Sequence, residues 1–169
     1  MWKALSSLFR RLTSADYARH QDSAEDSQAG LPQERIAMVA LLGNSQDREL
    51  LSRLAAAHRW TVFFAETCGG AWDILNSRKV PIALCDRELA GTEWRDVIPM
   101  MTASPHPVYA ILVSRVADDY LWNEVIRHGG HDLIASPLRQ DDVVRAIRLA
   151  WTYWSSSMRV PPMLLKHYR

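Results

Sequence analysis

The sequence lacks the features that indicate a disulfide-stabilised or zinc-binding domain, a membrane span or a nucleic-acid-binding surface. Its 169 residues include two cysteines, Cys68 and Cys85, without further Cys or His at ligand spacing, which excludes a disulfide framework or zinc site. No apolar run approaches the roughly 20 residues of a spanning helix. The net charge is +1 and the patterned region has no basic stripe, so nucleic acid is not an expected partner. These absences predict a cytoplasmic protein of one domain plus tails.

The first 34 residues differ in composition from the rest of the chain. In residues 1–13, apolar side chains recur at helical spacing and basic side chains occupy the other face, which predicts a short amphipathic helix. The apolar set is Trp2, Leu5, Leu8, Phe9 and Leu12, and the basic set is Lys3, Arg10 and Arg11. Residues 14–34 are polar and acidic and are predicted to be a flexible linker.

Residues 35–154 alternate short apolar runs with helical patterns, and residues 155–169 are predicted to be a C-terminal tail. The predicted strands are 36–42, 61–65, 82–86, 109–114 and 132–135. The predicted helices cover about 45–58, 70–77, 92–101 and 118–128, and a fifth begins near residue 140. Five such units predict an α/β fold, a doubly wound (βα)5 three-layer sandwich.

The run from Ile82 to Asp86 is the most informative stretch. A continuous apolar run of this length is typical of a strand buried on both faces of a parallel sheet. Its last residue then lies at the carboxyl edge of the sheet, where open α/β folds place their functional groups. Asp86 is therefore a candidate site residue.

Over about residues 35–154 the chain resembles a response-regulator receiver domain, the CheY-like phosphoryl-accepting module of two-component signalling. Three segments carry the resemblance. Asp86 and the following Leu89-Ala90-Gly91 are similar to the family's phosphoacceptor aspartate and its methionine-proline-glycine turn. Residues 111–114 are similar to the strand that ends in a phosphoryl-contacting Ser or Thr, here Ser114. Residues 129–138 are similar to the segment through the fifth strand. The resemblance implies a parallel sheet of flavodoxin-like order 2-1-3-4-5.

The residues that a working receiver domain uses are incomplete here. Such a domain holds a divalent cation with acidic residues after the first strand, because a carboxylate nucleophile otherwise repels the phosphoryl donor. The corresponding positions are Leu42 and Gly43. No metal site and no cofactor are expected, apart from weak Mg²⁺ binding at Asp86. We therefore expect an atypical receiver domain.

The resemblance also assigns roles to residues near the fifth strand. The family's lysine before the proline is Ser136, which can donate a hydrogen bond to a phosphoryl group but has no charge. Pro137 is kept, which implies a cis Ser136–Pro137 bond. The aromatic position that reports the switch to partners corresponds to Leu133. Receiver domains commonly use the fourth and fifth helices for contact, so candidate interface residues are Trp122, Leu133, Trp151 and Tyr153.

The predicted function is that of an atypical, stand-alone receiver in phosphorelay signalling, which is not an enzyme and acts through protein contact with weakened or absent phosphorylation. The expected partner is a histidine kinase or another signalling protein, and a homodimer is a second expectation. One alternative is a phosphorylation-independent adaptor, recruited to an anionic membrane by residues 1–13. Another is a small-ligand or cofactor carrier on a flavodoxin-like fold, although residues 43–45 lack a Ser/Thr-rich phosphate loop.

Overall fold

The computed structural model describes residues 36–159, with side chains up to residue 157. The predicted amphipathic segment 1–13 and linker 14–34 lie outside these residues. Among the helices of the described range, none is long and apolar enough to cross a membrane.

Between residues 36 and 159, five strands alternate with five helices. The strands are β1 (Ala37–Leu41), β2 (Thr61–Phe64), β3 (Ile82–Asp86), β4 (Tyr109–Ser114) and β5 (Asp132–Ala135). The helices are α1 (Ser45–His58), α2 (Cys68–Ser77), α3 (Trp94–Thr102), α4 (Asp119–Arg127) and α5 (Gln140–Arg159).

The five strands form one parallel sheet of order β2-β1-β3-β4-β5. The predicted fold class and strand order are confirmed. In the register, Leu41 pairs with Cys85 and Asp86 pairs with Val113, while Ser114 pairs with Ala135. The ends of β1, β3, β4 and β5 therefore lie side by side at one edge.

The core has two layers because successive side chains of a buried strand point to opposite faces. One layer contains the β3 residues Ala83 and Cys85 with side chains from α2, α3 and α4, including Leu75, Ile98 and Val125. The other layer contains the β3 residues Ile82 and Leu84 with side chains from α1 and α5, including Leu51 and Ile147. All five residues of β3 are buried, including its last residue, Asp86.

Three helices start at places other than those predicted, two because of side-chain caps and one because of a backbone turn. The Thr67 hydroxyl accepts a hydrogen bond from Gly70 N at 3.1 Å, so α2 starts at Cys68 rather than Gly70. Asp118 caps α4 by accepting from Leu121 N at 2.8 Å, which places it before the first turn. Helix α3 starts at Trp94, two residues later than predicted, because Thr92 N donates to Leu89 O in a turn.

Helix α5 continues to Arg159. The segment predicted as a tail from residue 155 is therefore helical in its first five residues. Trp154 is half-buried, and its indole Nε1 donates to Pro107 O at 2.8 Å.

Candidate functional site

Asp86 lies at the carboxyl end of the central strand β3 and is 6% exposed. Its two carboxylate oxygens accept backbone hydrogen bonds from different loops. Oδ2 accepts from Gly43 N at 3.2 Å, and Oδ1 accepts from Glu88 N at 3.2 Å. The loops after β1 and β3 thus hold the carboxylate from two sides, as expected for a buried anion that needs donors.

The loop after β1 contributes backbone to this site and no carboxylate. Leu42 is buried in the core layer of α1 and α5. Gly43 is exposed, and a Cβ built on it would lie 3.5 Å from Asp86 Oδ2. The next residue, Asn44, uses its side chain to cap α1 by accepting from Gln46 N at 2.9 Å.

These residues do not fit a divalent cation. Mg²⁺ needs several oxygen ligands, and one or two carboxylates usually supply its negative charge. Among the last residues of β1 and β3 and the positions 42 and 43 that follow β1, only Asp86 carries a carboxylate. Among residues 36–159, no three His, Cys, Asp or Glu side chains are grouped as metal ligands.

The thiol beside Asp86 is buried and unreactive. Cys85 is fully buried, and its Sγ lies 3.4 Å from Asp86 O. Burial raises the pKa of the Cys85 thiol far above its usual range, and the nearby Cys68 and Asp86 add to the rise. Since the thiolate is the nucleophile, Cys85 has no chemical role in this site.

Ser114 ends the neighbouring strand β4 and is fully buried. Its Oγ accepts a hydrogen bond from Val116 N at 3.2 Å. The backbone of this strand is tied to both neighbours, because Arg87 N donates to Val113 O and Ser136 N donates to Ser114 O. Val113 is the strand partner of Asp86, so Ser114 lies one residue beyond that partner.

Ser136 follows β5, and its peptide bond to Pro137 is cis. Its hydroxyl donates to Asp47 Oδ2 at 2.6 Å, and the backbone N–H of Leu138 donates to Asp47 Oδ1 at 2.7 Å. The structure therefore joins Ser136 to the first turn of α1. Asp47, which was not among the residues predicted from the sequence, is 2% exposed.

A signal for Asp47 was present in the sequence. Position 47 precedes Leu51 by four residues and Leu54 by seven, so it lies on the apolar stripe of α1. A carboxylate on such a stripe is either a first-turn residue near the helix dipole or a buried acceptor. Only its donors, about 90 residues away in the sequence, decide between these two roles.

The four predicted interface residues have different environments. Trp122 and Tyr153 are exposed, at 40% and 41%. Leu133 is half-buried against the layer of α2, α3 and α4, while Trp151 packs against the opposite layer and stacks on Trp154. Further exposed apolar side chains on and before α4, which were not predicted from the sequence, are Val116, Tyr120 and Ile126.

A cleft of about 370 Å³ lies at the opposite edge of the sheet, where β4 and β5 begin. Tyr109, His131 and Trp154 contribute aromatic rings to it. The Tyr109 ring stacks on Tyr153 at 5.9 Å between centroids and lies 4.0 Å from the His131 ring. This cleft is separated from Asp86 by the length of the strands.

Neither a protein-family model nor a curated protein sequence matches the chain, but solved structures do. The signal receiver domain of a putative LuxO repressor protein from Vibrio parahaemolyticus matches with a TM-score of 0.65 at 16% identity, over 73% of this chain and 95% of that one. The signal receiver domain of an HD domain-containing protein from Pseudomonas fluorescens matches with a TM-score of 0.64 at 19% identity, over 72% and 98%.

A third match comes from a co-crystal structure of the Saccharomyces cerevisiae histidine phosphotransfer protein Ypd1 and the receiver domain of its downstream response regulator Ssk1. Its TM-score is 0.63 at 13% identity, over 76% of this chain and 94% of that one. At such identities the likeness concerns the backbone, and each match spans nearly the whole of the known domain. Together with the strand order and the position of Asp86, these matches show that the chain has the fold of a response-regulator receiver domain.

Proposed function

We propose that the protein is a signalling module of two-component or phosphorelay pathways, which acts by contacting another signalling protein and in which phosphoryl transfer to Asp86 is weakened or absent. The observation that carries this proposal is the environment of Asp86. The carboxylate stands at the receiver fold's carboxyl edge, held by the backbone of Gly43 and Glu88, with no second carboxylate from the loop after β1.

Charge limits phosphoryl transfer to this carboxylate. In the transfer, an Asp86 oxygen would form a bond to phosphorus while the bond between phosphorus and the donor's leaving atom breaks. Negative charge accumulates on the phosphoryl oxygens in that step, and catalysis consists largely of positioning and neutralising it. Leu42 and Gly43 supply no ligand for a cation that would do so, and Ser136 supplies no positive charge.

The proposed partner is a protein of the same signalling class. The Ypd1 and Ssk1 co-crystal structure joins a receiver domain to a histidine phosphotransfer protein, which supports a histidine kinase or phosphotransfer protein as the partner class for this chain. The exposed apolar side chains of α4, Trp122 and Ile126, are candidates for the contact, because aromatic anchors dominate binding energy at interfaces. The module's output is contact and not catalysis.

The test is magnesium-dependent labelling of Asp86 by acetyl phosphate, followed by mass spectrometry. We expect the wild-type chain to label slowly. Gly43→Asp should label faster, because the added Cβ has room beside Asp86 and the added carboxylate supplies the second cation ligand. We expect a gain of about tenfold or more, since a bound cation stabilises the transferring group by several kcal/mol.

Two controls make the result specific. Gly43→Asn has the same shape as Gly43→Asp without its charge, and it should label no faster than wild type. Asp86→Asn should remove labelling from every variant. Rapid, magnesium-dependent labelling of the wild-type chain at Asp86 would refute weakened phosphorylation, and labelling that survives Asp86→Asn would refute the assignment of the site.

A further inference from the structure

The proposed function gives no role to the buried carboxylate of Asp47. It lies in the first turn of α1 and is 2% exposed. Burying a carboxylate is costly unless donors satisfy it. Here the Ser136 hydroxyl donates to one oxygen at 2.6 Å and the Leu138 N–H to the other at 2.7 Å, distances typical of strong, charge-assisted hydrogen bonds.

The hydrogen bond to Asp47 occupies the Ser136 hydroxyl, which therefore does not donate at Asp86. A serine hydroxyl has a single proton to donate, and that of Ser136 goes to Asp47. The Ser136 backbone is fixed as well, because its N–H donates to Ser114 O at 2.9 Å. The same residue cannot at once satisfy Asp47 and donate to a phosphoryl group on Asp86.

We propose that Asp47 is a positioning residue, which holds the side chain at position 136 on α1 and thereby withholds it from Asp86. This inference rests on the proposed function, in which Asp86 is the carboxylate of the site. Asp47 would hold any hydrogen-bond donor at position 136 in the same way. If Ser136 is replaced by lysine, the buried carboxylate of Asp47 loses its hydroxyl donor and keeps the Leu138 N–H, and a buried charge with too few partners is destabilising. The introduced ammonium therefore pairs with Asp47.

The inference predicts that charge at position 136 helps phosphoryl transfer only after Asp47 is neutralised. We compare three variants by magnesium-dependent labelling with acetyl phosphate: Gly43→Asp alone, Gly43→Asp with Ser136→Lys, and the triple variant that adds Asp47→Asn. Asparagine keeps the shape of Asp47 and an acceptor for Leu138 N–H. We expect the second variant to label within about twofold of the first. The triple variant should label about tenfold faster, a gain smaller than the ~10²–10³ that one preorganised donor typically contributes to a transition state.

Urea denaturation tests the pairing between Asp47 and the introduced ammonium without a phosphorylation step. Ser136→Lys should lower the urea midpoint little while Asp47 is present, and should lower it further in the Asp47→Asn background, where the ammonium has lost its partner. If Asp47→Asn does not fold, Asp47→Ser replaces it, because serine also keeps an acceptor for Leu138 N–H and has no charge. A purely structural role of Asp47 would change the midpoints and leave the labelling rate per folded molecule unchanged.

The possible results separate this inference from the proposed function. Equal labelling rates for the second and triple variants, or a full gain from Ser136→Lys while Asp47 is intact, would overturn the role of Asp47 alone. Absence of labelling in the triple variant would also overturn it. Labelling that persists after Asp86→Asn would instead overturn the proposed function, because the reactive carboxylate would then lie elsewhere.

Discussion

The two buried carboxylates Asp86 and Asp47 differ in the groups that donate hydrogen bonds to them. Asp86 receives only backbone donors, from loops that adjoin it, so its carboxylate can still take part in chemistry without losing a side-chain partner. Asp47 receives a side-chain hydroxyl and an amide from the loop after β5. It joins two elements that are distant in the sequence, and its role is therefore to position its donors.

At the same scale, His131 is predicted to make stability depend on pH. Burial lowers the pKa of His131 below its ordinary 6.5, and its Nδ1 accepts from Ala110 N at 3.2 Å. The unfolded chain therefore binds a proton at a higher pH than the folded chain does. The stabilisation is complete above about pH 6.5 and is lost as the pH falls from there towards the folded pKa. Because the ring is partly exposed, solvent screening keeps the expected loss small.

The measurement is urea unfolding at about pH 7.5 and about pH 5.5, a range in which a histidine with a lowered pKa changes its charge on unfolding. His131→Gln is the matched control, since its amide oxygen can accept from Ala110 N. Burial raises the pKa of the neighbouring Asp132, so its contribution has the opposite sign and is lost as pH rises. Asp132 is present in both wild type and His131→Gln, so its contribution does not affect the comparison between them. Equal pH dependence in wild type and His131→Gln would contradict the prediction.

At the scale of the elements, α4 has an exposed apolar stripe beside its buried one. Leu121 and Val125 are buried, whereas the next residues in each turn, Trp122 and Ile126, are each 40% exposed. Residues four apart lie on the same side of a helix, so the tryptophan and the isoleucine form one patch. On α5, Trp151 is half-buried against the core and is a poorer candidate for contact than the exposed Tyr153.

We propose that copies of the chain associate through this patch, so that Trp122→Ser should weaken self-association measured by sedimentation equilibrium. An aromatic anchor at an interface typically contributes about 2 kcal/mol or more, so the dissociation constant should rise by at least about tenfold. Arg53→Ala, on the exposed side of α1, is the control and should leave association unchanged. The same dissociation constant for Trp122→Ser and wild type would show that copies of the chain do not use this patch.

At the scale of the whole molecule, stability depends on a central strand covered on both faces. Leu84 is fully buried in the layer of α1 and α5. Leu84→Ala would leave a cavity between the sheet and the helices α1 and α5, and such substitutions cost about 2–5 kcal/mol. Leu50→Ala, at a half-buried position on α1, should cost clearly less. Urea denaturation measures both, and similar losses at the two positions would show that the layer is not tightly packed.

Much of this molecule could be predicted from local sequence patterns. Apolar runs of strand length and helical spacing between them predicted the five strands, the five helices and the doubly wound sheet. They could do so because a strand covered on both faces needs a continuous apolar run. The position of Asp86 was predictable on the same grounds, since the carboxyl ends of parallel strands share one edge. The absence of an acidic pair at Leu42 and Gly43 was also visible in the sequence, because the resemblance to receiver domains identifies these two positions.

The tertiary structure decided what depends on contacts between distant segments. Asp47 and Ser136 are 89 positions apart, and no local pattern reports which donor meets a carboxylate on an apolar stripe. The exposure of Trp122 and the burial of Trp151 also depend on neighbouring helices. The length of α5 was underestimated because its last turns extend past the core and have no apolar stripe that marks their end. Sequence patterns thus determined the elements, and packing determined the partners of their side chains.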